Sequence, residues 1–112
     1  MGTDELVLSQ AQELRRGTVV LACLALLEEP RYGYALVETL GDAGIAVDGN
    51  TLYPLLRRLE KQGLLISEWN TDESRPRKFY RVSLEGARVR TGLLREWQNL
   101  GASISRLTKG DR

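Results

Sequence analysis

Seven basic residues, Arg57, Arg58, Lys61, Arg75, Arg77, Lys78 and Arg81, fall between residues 50 and 82, against four acids. The first 49 residues carry the opposite balance, three Arg against eight acids, and residues 83–112 hold six basic residues against three acids. The whole chain has a formal charge of only +1. Cations gathered in one stretch can hold phosphate groups without a high overall charge. Charge alone leaves open the plainer alternative of a solvated surface.

Other chemistry has little to work with. The chain has no histidine, so the commonest general base and the commonest zinc ligand are both missing. Cys23 is the single cysteine, set within the apolar run Val19–Leu27, and reads as a small buried hydrophobe. No intramolecular disulfide can form. No glycine-rich phosphate loop is present, and no nucleophile–base pair can be assembled. Neither an enzyme, nor a metal site, nor a bound cofactor is expected.

The cations need elements to position them. Residues 3–13 read as a short helix or arm, with Asp4 and Glu5 suited to a first turn. Residues 14–28 are apolar over most of a helical circumference and stop before Pro30, which predicts a core helix. Residues 31–40 read as a second helix, with Tyr34, Leu36, Val37 and Leu40 on its buried side. An extended link at residues 45–47 leads to a third helix starting at Asn50 or Thr51, both good N-caps. Leu52, Leu55, Leu56 and Leu59 then follow the i, i+3, i+4, i+7 spacing, and Gly63 closes the helix. Residues 64–69 and 78–83 are β-prone runs around a polar, basic turn, and so predict a hairpin. Ser83 caps a last helix running to about Leu107.

With the leucine stripe of the third helix at the core, Asn50, Pro54, Arg57 and Lys61 face outward, flanked by Thr51, Tyr53 and Arg58. Such a face suits the major groove of double-stranded DNA, with Arg available for guanine and Tyr or Lys for phosphate. The hairpin tip brings Arg75, Arg77 and Lys78 over the adjacent backbone or minor groove. The last helix spaces Val89, Leu93, Trp97, Leu100, Ile104 and Leu107 as an a/d seam. About 24 helical residues span roughly 36 Å and outrun a core this small. The seam therefore predicts a homodimer. The expected fold is mainly α with a two-stranded β wing: a winged helix-turn-helix over residues 1–86 and a dimerisation helix over residues 87–112, forming one compact unit.

Three segments resemble the motifs of PadR-type transcriptional regulators. They are Tyr32-Gly33-Tyr34-Ala35-Leu36, the run from Thr51-Leu52-Tyr53-Pro54 through Arg58-Leu59-Glu60 to Gly63-Leu64-Leu65, and the run from Arg77-Lys78-Phe79-Tyr80 to Glu85-Gly86. The resemblance spans about residues 14–90, and the short last helix is similar to the smaller branch, which includes repressors of multidrug efflux pumps. It implies a two-fold dimer repressing from a palindromic operator, with an effector that releases the DNA. It also implies DNA contacts from Thr51, Tyr53, Pro54 and Lys78. Ser83 stands where Thr is more usual, and both can cap. Gly92 and Gly101 each cost the last helix roughly 1 kcal/mol relative to Ala.

In the multidrug-responsive members an aromatic at the point of Trp97 lines a flat pocket between subunits. Near a two-fold axis, Trp97 and its mate would stack on a planar hydrophobic effector. The plainer alternative makes Trp97 a seam residue only. A second function class also stays open, a protein-interaction adaptor that uses the winged fold without DNA. No apolar run reaches the roughly 18 residues of a membrane span, and a cytoplasmic protein is expected.

Overall fold

The computed structural model describes residues 2–72 and 74–109. Its elements run α1 (Thr3–Arg16), α2 (Thr18–Leu26), β1 (Arg31–Tyr32), a 3-10 turn (Gly33–Ala35), α3 (Leu36–Asp42), α4 (Gly49–Lys61), β2 (Leu65–Asn70), β3 (Arg77–Val82) and α5 (Leu84–Thr108). Helices dominate, and β2 and β3 form the expected hairpin, pairing from Leu65↔Val82 to Asn70↔Arg77.

The core forms where apolar stripes from several helices meet the buried end of the hairpin. Leu24 and Leu27, Leu36, then Leu52, Leu56 and Leu59, and Leu65 are essentially solvent-free. Val19, Cys23, Leu40, Leu55 and Tyr80 complete the cluster. Full burial of a Leu side chain contributes about 1.5–3 kcal/mol, so the α4 stripe anchors that helix rigidly. Among the described residues no polar or charged one is buried. Cys23 sits in this core, and desolvation pushes its thiol up from 9.0 to about 11. It is therefore an unreactive thiol at neutral pH.

Three local features differ from the sequence expectation, each for a tertiary reason. The break between the first two helices falls at Gly17, with Leu14 inside α1 and 80% exposed. Thr18 Oγ1 donates to the Arg15 carbonyl at 2.6 Å across the junction. Secondly, Arg31 and Tyr32 are extended, pairing with Tyr80 and Phe79 of β3, so the hairpin gains a third antiparallel strand in the order β1-β3-β2. Gly33 permits this close approach, since a Cβ there would lie 3.1 Å from the Tyr80 ring. The α-helix consequently begins only at Leu36, and Tyr34 is 59% exposed rather than buried. Thirdly, α4 is capped by Asp48, whose carboxylate accepts from Thr51 N at 2.9 Å. The helix thus starts ahead of the expected Asn50 or Thr51 cap.

The last helix is locked to the core at its start. Ser83 Oγ accepts from Gly86 N at 2.9 Å and donates to the Gly63 carbonyl at 2.6 Å. Gly63 holds φ +79°, the left-handed conformation expected of its cap. Gly86 is buried so tightly that a Cβ would lie 2.1 Å from the Leu64 carbonyl oxygen. Farther along, α5 leaves the body of the protein. The radius of gyration is 16.6 Å, against about 13 Å for a compact chain of this length. No helix among the described residues is long and apolar enough to cross a membrane.

Candidate nucleic-acid interface

Helix α4 has two opposed faces. Leu52, Leu55, Leu56 and Leu59 point into the core, while Asn50, Thr51, Tyr53, Pro54, Arg57, Arg58 and Lys61 are all solvent-exposed. Its rotation is fixed by the leucines, so the polar side chains have one direction to face. Pro54 is the sixth residue of the helix, not part of its first turn. Lacking an N–H, it cannot bond the Asn50 carbonyl, which leaves an acceptor on the outward side. The Tyr53 ring lies against Gly49, where a Cβ would come within 2.9 Å of it.

The hairpin stands beside this face. Arg75 is exposed, whereas Arg77 and Lys78 are half-buried because each engages its own protein. The Arg77 guanidinium lies 4.5 Å from the centroid of the Tyr34 ring. Tyr34 in turn stacks on Tyr32 at 5.5 Å, and Phe79 meets Tyr32 edge-on at 6.0 Å. Asn70 Nδ2 donates to the Tyr32 hydroxyl at 2.6 Å. This aromatic stack braces the outer half of the wing, up to the last paired residues before its turn. Lys78 Nζ lies 3.6 Å from Glu60 Oε1 and 5.3 Å from the Tyr80 ring centroid. Tyr34, Tyr53, Arg75, Pro76, Arg77 and Lys78 line a cleft of about 240 Å³. A wider cleft of about 660 Å³ is lined by Pro54, Arg57, Arg58, Glu60, Lys61 and Lys78. Lys78 belongs to both.

Tyr53, Pro54, Arg57, Arg58, Lys61, Arg75, Arg77 and Lys78 are thus gathered around two adjoining clefts between α4 and the wing, whereas Asn50 lines neither and Thr51 lines a separate cleft with Arg15, Val19 and Asp48. Sequence reasoning missed Tyr34, which joins the site because β1 turns it outward, and Glu60, which faces Lys78. Tyr34 lies in a quoted motif, yet helical periodicity assigned it to the core. Nothing in the local sequence paired residue 60 with residue 78.

The expected seam divides. Val89 and Leu93 are half-buried against their own core, whereas Trp97, Leu100, Ile104 and Leu107 are 54–77% exposed. Trp97 lines a groove of about 230 Å³ with Gly17, Thr18, Leu21, Leu93 and Leu100. Helix α1 buries no residue, and Leu6, Val7 and Leu14 edge a second apolar groove along it.

A helix-turn-helix whose second helix is leucine-backed and cation-fronted, with a hairpin wing beside it, defines a winged-helix DNA-binding protein. Comparison with known proteins agrees. Residues 20–91 match the transcriptional regulator PadR-like family. A PadR family transcriptional regulator from Eggerthella lenta is 51% identical, with a TM-score of 0.89 and 94% of both chains covered. A transcriptional regulator from Clostridium thermocellum is 30% identical, with a TM-score of 0.76, covering 84% of this chain and 96% of that one. The transcriptional regulator Rv3488 of Mycobacterium tuberculosis is 36% identical over 73 residues, 65% of this chain and 68% of its own length. The chain belongs to the PadR-like family, a family of transcriptional regulators and not of enzymes.

Proposed function

We propose that the chain is a homodimeric repressor that reads a palindromic operator with α4 and its wing. The observation that carries this reading is the two-faced α4, whose whole polar face is exposed beside the basic cleft. Arg57 and Lys61 reach base edges or phosphates in the major groove, with Asn50, Thr51, Tyr53, Pro54 and Arg58 around them. Arg75, Arg77 and Lys78 hold the adjacent backbone or minor groove. Residues 1–86 bind DNA and residues 87–112 serve dimerisation, in a single folded unit whose last helix extends from the body and which works in the cytoplasm.

Two exposed apolar faces support the dimer. Trp97, Leu100, Ile104 and Leu107 form one. The other is α1, a 14-residue helix with no buried residue, which is marginal in water without a partner. Contact with a second copy would cover both and extend the seam from Val89 and Leu93. The groove at Trp97 supports an effector reading, in which a planar hydrophobic molecule stacks on the indole and shifts the dimer away from its DNA-bound geometry.

Mobility shifts with the protein's own promoter region test the DNA reading. Wild-type binding should fall about 10³–10⁵-fold between 50 and 200 mM salt if the dimer makes 6–10 phosphate contacts. Arg57→Ala with Lys61→Ala should abolish most of it without changing the melting temperature. Unchanged binding by the double variant would sink the assignment of α4. Retention of a partner protein without any salt-sensitive DNA binding would favour the adaptor.

A further inference from the structure

Glu60 sits inside the DNA-facing cleft, where an acid is unexpected. Among the described residues lining that cleft it is the one acid, beside Arg57, Arg58, Lys61 and Lys78. Its carboxylate is anchored: Ser67 Oγ, on β2, donates a short hydrogen bond to Oε2. The other oxygen, Oε1, faces Lys78 Nζ on β3 at 3.6 Å. One side chain on the recognition helix thus ties down both strands of the wing. Lys78 is confined on its other side by the buried Tyr80 ring. Glu60 and Lys78 are both about one-third exposed, so a phosphate can reach the ammonium group but must do so next to a fixed negative charge.

We infer that Glu60 is a positioning residue of the DNA site: it holds Lys78 in an ion pair that phosphate must compete against, and so weakens the sequence-independent part of binding. This rests on the DNA reading of the cleft. Phosphate contacts supply nearly all non-specific affinity, so a tethered cation lowers the affinity for random DNA. The tether also keeps Lys78 at a set distance from α4, ready for a backbone that lies correctly in the groove.

The test compares wild type with Glu60→Gln on a random-sequence duplex across a salt series. Gln keeps an oxygen for Ser67 and removes the charge. Glu60→Gln should bind more tightly at 50 mM salt, and its log–log salt slope should steepen by about 0.9 for each protomer whose Lys78 gains a phosphate. Between 200 and 50 mM that slope widens its advantage by about threefold per protomer. Adding Lys78→Met should erase the gain. A purely structural Glu60 would give weaker binding with the slope unmoved. An equal or shallower slope in Glu60→Gln overturns the inference while leaving the DNA reading intact. Absence of salt-sensitive binding in both proteins overturns the DNA reading and this inference together. Should Glu60→Gln not fold, Ser67→Ala decides instead, because an unanchored carboxylate holds Lys78 less well and must also steepen the slope.

Discussion

Helices α4 and α5 are both amphipathic, yet they finish their apolar faces differently. Helix α4 buries all four of its leucines within its own protomer and shows solvent only the polar face. Helix α5 buries Gly86 and half-buries Val89 and Leu93, then leaves Trp97, Leu100, Ile104 and Leu107 in the open. The first helix is complete without a partner chain, so its outward face is free to evolve for a ligand with phosphates. The second is complete only at its start. The contrast teaches that equal periodicity does not mean equal burial, because a small core saturates before a 25-residue helix ends.

The largest effect that would break this comparison is on folding. Leu56→Ala, at a fully buried position, should cost about 2–5 kcal/mol and lower the thermal midpoint by many degrees. Leu107→Ala, 77% exposed in the protomer, should leave the midpoint of the diluted protein nearly unchanged. Calorimetry on both proteins checks the pair, and equal losses would mean that α5 is finished within one chain.

An intermediate effect is expected at the dimer. Ile104→Asp should convert the protein to a monomer in sedimentation at micromolar concentration while its circular dichroism stays native. Operator affinity should then fall about 10²-fold or more, since two linked half-sites become two separate ones. A variant that remained dimeric would remove the distal seam from the interface.

The smallest effect concerns Trp97. In a Trp69→Phe background, indole emission should be quenched on titration with planar aromatic compounds, by stacking in the groove it shares with Leu21 and Leu100. No quenching across a broad panel would leave the indole as packing alone.

Much of the exposed polar surface of α4 and the wing was legible from local pattern. The leucine spacing of residues 52–59 determined which side of α4 faces out, and Gly63 and Ser83 marked the ends of their helices correctly. The missed features share one cause, which is contact between residues far apart in the chain. Arg31 and Tyr32 carry no strand signal of their own; they extend because β3 offers a free edge and Gly33 lets Tyr80 come close. Tyr34 then leaves the core and stacks beneath Arg77. The cap of α4 was mislocated by two or three residues, since Asp48, Asn50 and Thr51 are all capable caps. The backbone geometry selected Asp48.

By itself the sequence determined the order of the helices and the hairpin, the leucine-backed and cation-fronted α4, the basic wing and the apolar distal helix. Those properties follow from periods of 3.6 and 2 and from short-range capping, which act within a few residues. Only the tertiary structure decided that Lys78 meets Glu60, that the sheet has three strands, and where the core stops covering α5. These depend on which surfaces are already occupied when distant segments pack, and no local pattern records that.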